Sequence, residues 1–164
     1  MSWTCHTCGV EQSDIPLCFS IEAPWRALVP VKEFNRRVDL NSDQCVIDEQ
    51  HFFIRGHIEI PIHDYPEPLA FSVWSSLSKS SFLHMCEHWE ALDRASNPPY
   101  FGWLCSPIVF YPSTIHLKLS VQSRPAGQTP LFTVEPTQHP LALDQHNGIS
   151  IERWHQIAHQ LLHA

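Results

Sequence analysis

The 164-residue chain contains 43% hydrophobic and 16% charged residues and has a formal net charge of −7. This composition is typical of a globular protein and excludes a disordered one. An acidic chain without a Lys/Arg cluster also argues against general binding to nucleic acids or to anionic membranes.

The start of the chain does not have the pattern of an export signal. Residues 1–5 contain neither a basic n-region nor an apolar h-region, and secretory signal peptides need both. No run approaches the roughly eighteen apolar residues that a membrane span needs. We therefore expect a cytoplasmic protein whose six cysteines are reduced thiols, available as metal ligands, nucleophiles or small core residues.

Cys5 and Cys8 form a C-x-x-C pair that is followed directly by a glycine. A tight turn at this spacing directs two thiolates at one Zn²⁺. A redox interpretation would place the motif between a strand and a helix, but no strand pattern precedes it here. The pattern predicts half of a structural zinc site, and two ordinary reduced thiols are the alternative.

A closed tetrahedral zinc site needs two further ligands. Cys45 is the choice for the third ligand, because it begins the central sheet and would tie the N-terminal region to it. His139 is preferred for the fourth, since it precedes a proline in a loop where its ring can be directed at a metal. Cys18 and His6 stay open as alternatives. The predicted cofactor is therefore a structural Zn²⁺.

The clearest strand signal lies in residues 51–62. Alternate residues are apolar there, which is the period of a strand with one buried face and one wetter face. Residues 45–47 precede it as a short strand across a turn, and residues 69–77 follow as a third strand. A glycine inside a strand marks a bulge or a close approach of another group, and Gly56 holds that position.

Two later segments have helical period, residues 78–95 and 150–162, each with a serine placed to cap its start. Alternation in residues 115–121 and 130–135 predicts a second hairpin.

These elements predict one α+β domain over residues 1–164, built on a mostly antiparallel meander sheet with helices packed on one face. Residues 1–45 would include the zinc knuckle, and residues 46–164 would form the sheet and the helices.

A possible ligand pocket is suggested by polar or amphipathic residues beside apolar segments, namely Arg55, Tyr100, Trp103 and Gln145. The guanidinium of Arg55 suits bidentate binding of a carboxylate or phosphate. The alternative is that Arg55 pairs with Glu59 or another acid on the wet face of the sheet.

Several short motifs together resemble a bacterial family catalogued as domain of unknown function twenty-one ninety-nine. They are Cys5-x-x-Cys8-Gly9, Asp43-x-Cys45, Phe53-Ile54-Arg55-Gly56, Glu59-Ile60-Pro61, Trp74, Phe101-Gly102-Trp103-Leu104, Leu117-Lys118, His139-Pro140-Leu141, Gln145 and Gly148-Ile149. The resemblance runs from residue 5 to about residue 150. It implies a soluble bacterial protein in which Cys5, Cys8 and Cys45 act together, and it implies no particular activity.

The leading functional expectation is a small, non-catalytic, zinc-stabilised protein that binds a protein partner, for example in a toxin-neutralising, immunity or accessory role. The acidic charge suggests a basic partner. The alternative is an enzyme or a small-ligand-binding protein with a cleft around Arg55, Trp103 and His139.

Overall fold

The computed structural model describes residues 3–4, 11–12 and 15–163. The strands in this part of the chain are β1 (Trp3–Thr4), β2 (Glu11–Gln12), β3 (Cys18–Ser20), β4 (Val38–Leu40), β5 (Gln44–Ile47), β6 (His51–Ile60), β7 (Leu69–Leu77), β8 (Tyr100–Leu104), β9 (Lys118–Gln122) and β10 (Leu131–Val134). The α-helices are α1 (Phe34–Arg37), α2 (Lys79–Glu87), α3 (Pro140–Asn147) and α4 (Ile151–Leu162). Short 3-10 turns cover Pro24–Ala27, Val31–Glu33 and Arg94–Ser96.

Strands β6 to β10 form a closed five-stranded barrel. Each strand pairs antiparallel with the next, and β10 then returns to β6, where Leu131 pairs with His57 in parallel. Four antiparallel steps leave the fifth strand parallel to the first, so the last pairing has the orientation that the meander dictates. Strand β3 extends the sheet beside β7, and β5 and β4 extend it beside β6.

The predicted open meander with helices on one face is therefore wrong. The physical reason is the length of β6 in the β6–β7 hairpin. Its two halves pair with different strands on the side opposite β7. The first half of β6 pairs with β5, whereas its second half meets β10 at His57. The sheet bends between the two pairings and closes on itself.

The predicted strand at residues 51–62 is confirmed as β6, and its alternation explains the two apolar clusters. Its apolar parity is buried in the main core, where Ile54 and Ile58 are completely buried. Phe53 points to the opposite face and joins a second cluster with Cys45 and Trp74. The face expected to be wet is thus partly covered, because the segment around Trp25 packs over it.

The predicted helix starts are confirmed, since Ser78 and Ser150 accept hydrogen bonds from backbone N–H groups in the first turns of α2 and α4. Helix α2 ends at Glu87, earlier than expected. Helix α3 was expected only as a short turn. Among the described residues, no helix combines the length and the apolar character that crossing a membrane requires.

The predicted strand at residues 115–121 begins only at Lys118. His116 has φ of 71°, in the left-handed region that a continuous strand does not contain, and this residue turns the chain before β9 starts.

Candidate functional site

A cavity of about 1050 Å³ lies between the segment 21–28 and the ends of β6, β7 and β8. Its lining is mainly apolar. The apolar members are Ile21, Ala23, Pro24, Ala27, Leu28, Phe52, Phe53, Leu77, Trp103, Cys105, Pro107 and Ile115, and the polar members are Glu22, Arg26, Gln50, His51, Ser76 and His116.

The outer wall of the cavity is held by backbone contacts to the sheet. The Ile21 N–H donates to the Ser72 carbonyl (2.9 Å), and the Ile21 carbonyl accepts from Nε1 of Trp74 (3.2 Å). Pro24 then begins a 3-10 turn, as its fixed φ allows. Trp25 packs against Phe34 with ring centroids 4.6 Å apart. The wall is therefore a fixed part of the fold.

The floor of the cavity is formed where β6 and β7 pair. Phe52 lies opposite Leu77, and Phe53 lies opposite Ser76. Phe52 and Leu77 belong to the main core and Phe53 to the second apolar cluster. All three side chains line the cavity and are buried with a small accessible fraction. Apolar surface at the end of the barrel is thus left open to a ligand.

Trp103 stands at the edge of this cavity and is 40% exposed. Its ring lies edge-on to Phe101 with centroids 5.1 Å apart, and Lys118 Nζ lies 5.9 Å from the Trp103 ring centroid. Phe101 occupies the same parity of β8 and does not line the cavity. Trp103 is therefore the one predicted ligand-binding residue that the structure places in the cavity.

The polar groups of the cavity are few. Arg26 Nε lies 3.7 Å from Glu22 Oε2, and both side chains are largely exposed. The N–H of His116 donates to the Leu104 carbonyl (2.7 Å), which holds the left-handed turn at that residue. Burial raises the pKa of the Cys105 thiol, whose Sγ donates to the Trp103 carbonyl (3.3 Å).

Arg55 on β6 connects the loop between β4 and β5 to strand β7 through its hydrogen bonds. Its Nε donates to the Ser42 carbonyl (2.6 Å), Nη1 donates to Ser72 Oγ (2.9 Å), and Nη2 pairs with Asp43 Oδ1 (3.2 Å). The alternative that Arg55 pairs with an acidic side chain is confirmed, but the acid is Asp43, since Glu59 contacts Arg124 at 2.6 Å.

Tyr100 and Gln145 also lie away from the cavity. The hydroxyl of Tyr100 is 2.7 Å from Nδ1 of His84, and burial raises the pKa of Tyr100. Gln145 accepts from the Val134 N–H (2.7 Å) and donates to the Phe132 carbonyl (2.8 Å), so it satisfies backbone groups of β10. The structure therefore does not bring these residues together with Arg55 and Trp103.

Two of the expected zinc ligands, Cys5 and Cys8, lie outside the described residues, as does the alternative His6. Cys45 is completely buried in the second apolar cluster, and burial raises its pKa to about 11. The other open alternative, Cys18, lies exposed on β3.

His139 caps α3 instead of pointing to a metal. Its Nδ1 accepts from the Leu141 N–H (3.1 Å), so Nε2 carries the proton and faces the carbonyls of Pro112 and Ser113 at 3.2 and 3.1 Å. Within residues 15–163 and the other described positions, no group of three or more His, Cys, Asp or Glu is arranged to hold a metal ion. No zinc site is found among the described residues, and the knuckle at Cys5 and Cys8 lies outside them, so the structural Zn²⁺ stays a prediction.

Sequence reasoning missed Arg26, His51 and His116 as members of one site. They are separated by 25 and 65 residues in the chain, and no local pattern joins them. Cavity formation brings them together.

Comparison with known proteins identifies one family. A family model described as "uncharacterized protein conserved in bacteria (DUF2199)" matches residues 4–149, which include the whole barrel and α3. Searches of curated proteins and of solved structures found no match.

Proposed function

Because the chain belongs to the family of uncharacterized proteins conserved in bacteria, we propose its function from the geometry of the cavity: it binds a small, largely apolar ligand without chemical conversion. The observation that carries this proposal is the apolar concavity of about 1050 Å³ at the end of the barrel. Ligand sites are typically concave, mostly apolar, and supplied with a few polar groups that orient the ligand.

The exposed apolar side chains of the lining support this proposal. Leu28, Trp103 and Ile115 are 55%, 40% and 38% exposed, and all three face the cavity. A ligand that covers them gains about 25 cal/mol for each Å² of apolar surface removed from water. The fixed wall reduces the entropy cost of binding, since little of the site has to be ordered when the ligand enters.

The partly buried thiol of Cys105 favours a binding role for the cavity over thiol catalysis. Nucleophilic cysteines need a depressed pKa and an electropositive environment. Burial raises the pKa of Cys105, and the thiol donates to a backbone carbonyl. Cys105 therefore contributes apolar surface to the cavity.

The proposed ligand site lies at the cavity and not around Arg55 and His139, where the sequence suggested a small-ligand cleft. Trp103 belongs to the cavity, whereas Arg55 and His139 make structural hydrogen bonds elsewhere. A protein partner, a basic partner surface and a toxin-neutralising role stay predictions.

Titration with N-phenyl-1-naphthylamine, a neutral dye that fluoresces in apolar surroundings, tests the proposal. We expect saturable binding of one dye per chain. Trp103→Ala should weaken it by at least about fivefold, because aromatic anchors contribute more than 1 kcal/mol each. The control is Leu92→Ala, which removes an exposed apolar side chain outside the lining and should leave the dye affinity unchanged.

A second pair of variants tests the lining by charge. Ile115→Asp places a carboxylate in the cavity wall and should abolish dye binding, whereas Val109→Asp, at an exposed position outside the lining, should not. Absence of saturable binding to the wild-type protein, or equal losses within either pair, would exclude the cavity as the binding site.

A further inference from the structure

We infer that the ligand of this cavity is an amphiphile with an anionic head group, and that Arg26, His51 and His116 receive the head group at the mouth. This inference rests on the proposed function and adds the chemical class of the ligand. The apolar part of the ligand would lie on the floor formed by Phe52 and Leu77.

The charge of the lining differs from that of the whole chain. The chain has a formal net charge of −7. The cavity nevertheless has three side chains with a cationic form, Arg26, His51 and His116, and one carboxylate, Glu22. Basic side chains thus outnumber acidic ones in the lining, which favours an anionic ligand over a cationic one.

Arg26 differs from the other arginines in its freedom. The other six arginines, all in the described part of the chain, each make at least one close side-chain hydrogen bond to a carboxylate or a backbone carbonyl: Arg36, Arg37, Arg55, Arg94, Arg124 and Arg153. By contrast, the contact of Arg26 with Glu22 is 3.7 Å long, and 63% and 74% of the two side chains are exposed. The Arg26 guanidinium also lies 5.5 Å from the centroid of the Trp25 ring. Such an exposed pair contributes little, so an incoming acid group can replace Glu22 as the partner of the guanidinium.

The two histidines reach the cavity from different kinds of backbone. His116 has φ of 71°, in the left-handed region that non-glycine residues rarely adopt. His51 begins strand β6, directly after the hairpin turn in which Asp48 and Glu49 each have φ of 53°. Both side chains line the cavity.

The charges around His51 and His116 decide how well the site accepts an anion. The charged and titratable groups around them are Glu22 and Arg26 in the lining, the Cys105 thiol, and Asp48, which interacts electrostatically with His51. Asp48 is already paired with Arg37 at 2.7 Å, so it opposes binding of an anion less than a free carboxylate would.

A matched pair of dyes tests the inference separately from the proposed function. The dye 8-anilinonaphthalene-1-sulfonate has the skeleton of the neutral N-phenyl-1-naphthylamine with one added sulfonate. We expect Arg26→Gln to weaken binding of the sulfonate dye by about tenfold, the scale of one charge-assisted hydrogen bond. The affinity for the neutral dye should change by less than about twofold. Arg36→Gln, at an exposed arginine outside the lining, is the control and should affect neither dye.

Competition against the neutral dye then identifies the head group. Decanoate or decyl phosphate should displace it at lower concentration than decanol. Whichever of the two anions displaces the dye at the lower concentration indicates whether the head group is a carboxylate or a phosphate. Equal displacement by decanol, or equal losses of both dyes in Arg26→Gln, would overturn the anionic head while leaving the apolar cavity in place. Failure of the neutral dye to bind the wild-type protein would instead overturn the proposed function itself.

Discussion

The ring of Phe132 occupies the space beside Gly56 that a side chain would otherwise fill. A Cβ atom built on Gly56 would lie 2.2 Å from Cε1 of Phe132, which is far inside the contact distance of two carbon atoms. Gly56 is on β6 and Phe132 is on β10, the two strands whose pairing closes the barrel. The ring of Phe132 is completely buried and fits into the barrel interior because Gly56 has no side chain. Closure of the barrel and packing of its interior thus both depend on Gly56.

Replacement of Gly56 by alanine should destabilise the protein by about 1–3 kcal/mol, the usual cost of overpacking a core. Urea unfolding measures this change. Phe132→Leu should also destabilise, but the double variant Gly56→Ala/Phe132→Leu should lose less than the sum of the two single losses, because the smaller side chain makes room for the new methyl group. Strictly additive losses would contradict the contact.

The ion pair between Arg37 and Asp48 should make stability depend on pH. Arg37 Nε and Nη2 contact the two oxygens of Asp48 at 2.8 and 2.7 Å, and this hydrogen bonding lowers the pKa of Asp48. A lowered folded pKa stabilises the fold above the unfolded value of about 3.9 and ceases to do so as the pH falls through the folded pKa. Arg37→Gln should therefore lower the melting temperature at neutral pH, and the difference should shrink below about pH 4. A constant difference across this range would argue against the ion pair.

Glu49→Gly should stabilise the protein by about 0.5–1 kcal/mol. Glu49 has φ of 53°, and the left-handed conformation costs a non-glycine residue about 1–2 kcal/mol. Glycine avoids this cost but loses more conformational entropy on folding, which offsets part of the gain. Chemical denaturation provides the measurement. Asp48→Gly relieves the same backbone strain but removes the contact with Arg37, so it should not reproduce the gain.

The hydroxyl of Tyr111 donates to Asp144 Oδ2 at 2.6 Å, and Arg153 Nε donates to the same oxygen at 2.9 Å. Burial, together with the hydrogen bond to Asp144, raises the pKa of Tyr111. Tyr111→Phe should cost about 1–2 kcal/mol, since the buried hydrogen bond is lost.

Alkaline solution should distinguish this variant further. A raised folded pKa stabilises the fold below the unfolded value of about 10, and the contribution is lost as the pH rises towards the folded pKa. The advantage of the wild-type protein over Tyr111→Phe should therefore decrease above about pH 10. An advantage that grows with pH would contradict the raised pKa of Tyr111.

Thiol labelling should separate Cys18 from Cys45. Cys18 is exposed on β3, whereas Cys45 is completely buried and burial raises its pKa to about 11. Because the thiolate is the reactive form, iodoacetamide at about pH 8 should modify Cys18 in the native protein and Cys45 only after unfolding. Peptide mass spectrometry locates the label, and rapid labelling of native Cys45 would show that its burial is incomplete.

Much of the local structure was predictable because it depends on neighbouring residues. The period of β6 comes from alternating side chains, and the serine caps of α2 and α4 satisfy backbone N–H groups within the same turn. Helix α3 was missed because His139 was considered as a zinc ligand, whereas its ring accepts a hydrogen bond from the Leu141 N–H at the start of the helix.

The candidate site was predictable only in part. Trp103 was identified as an exposed aromatic residue beside apolar segments. Arg55 has the chemistry of an anion ligand, but its hydrogen bonds to Ser42, Ser72 and Asp43 use that chemistry inside the fold. Arg26 has the same chemistry and remains available, a distinction that depends on partners distant in the chain.

The sequence by itself determined the family, the acidic charge, the long β6 strand and the capped helices, because each depends on composition or on residues close in the chain. Only the tertiary structure decided the closed barrel and the cavity. Closure depends on the pairing of Leu131 with His57 and on the fit of Phe132 against Gly56. Both join residues more than 70 positions apart, and the order of such pairings follows from the packing of the whole chain.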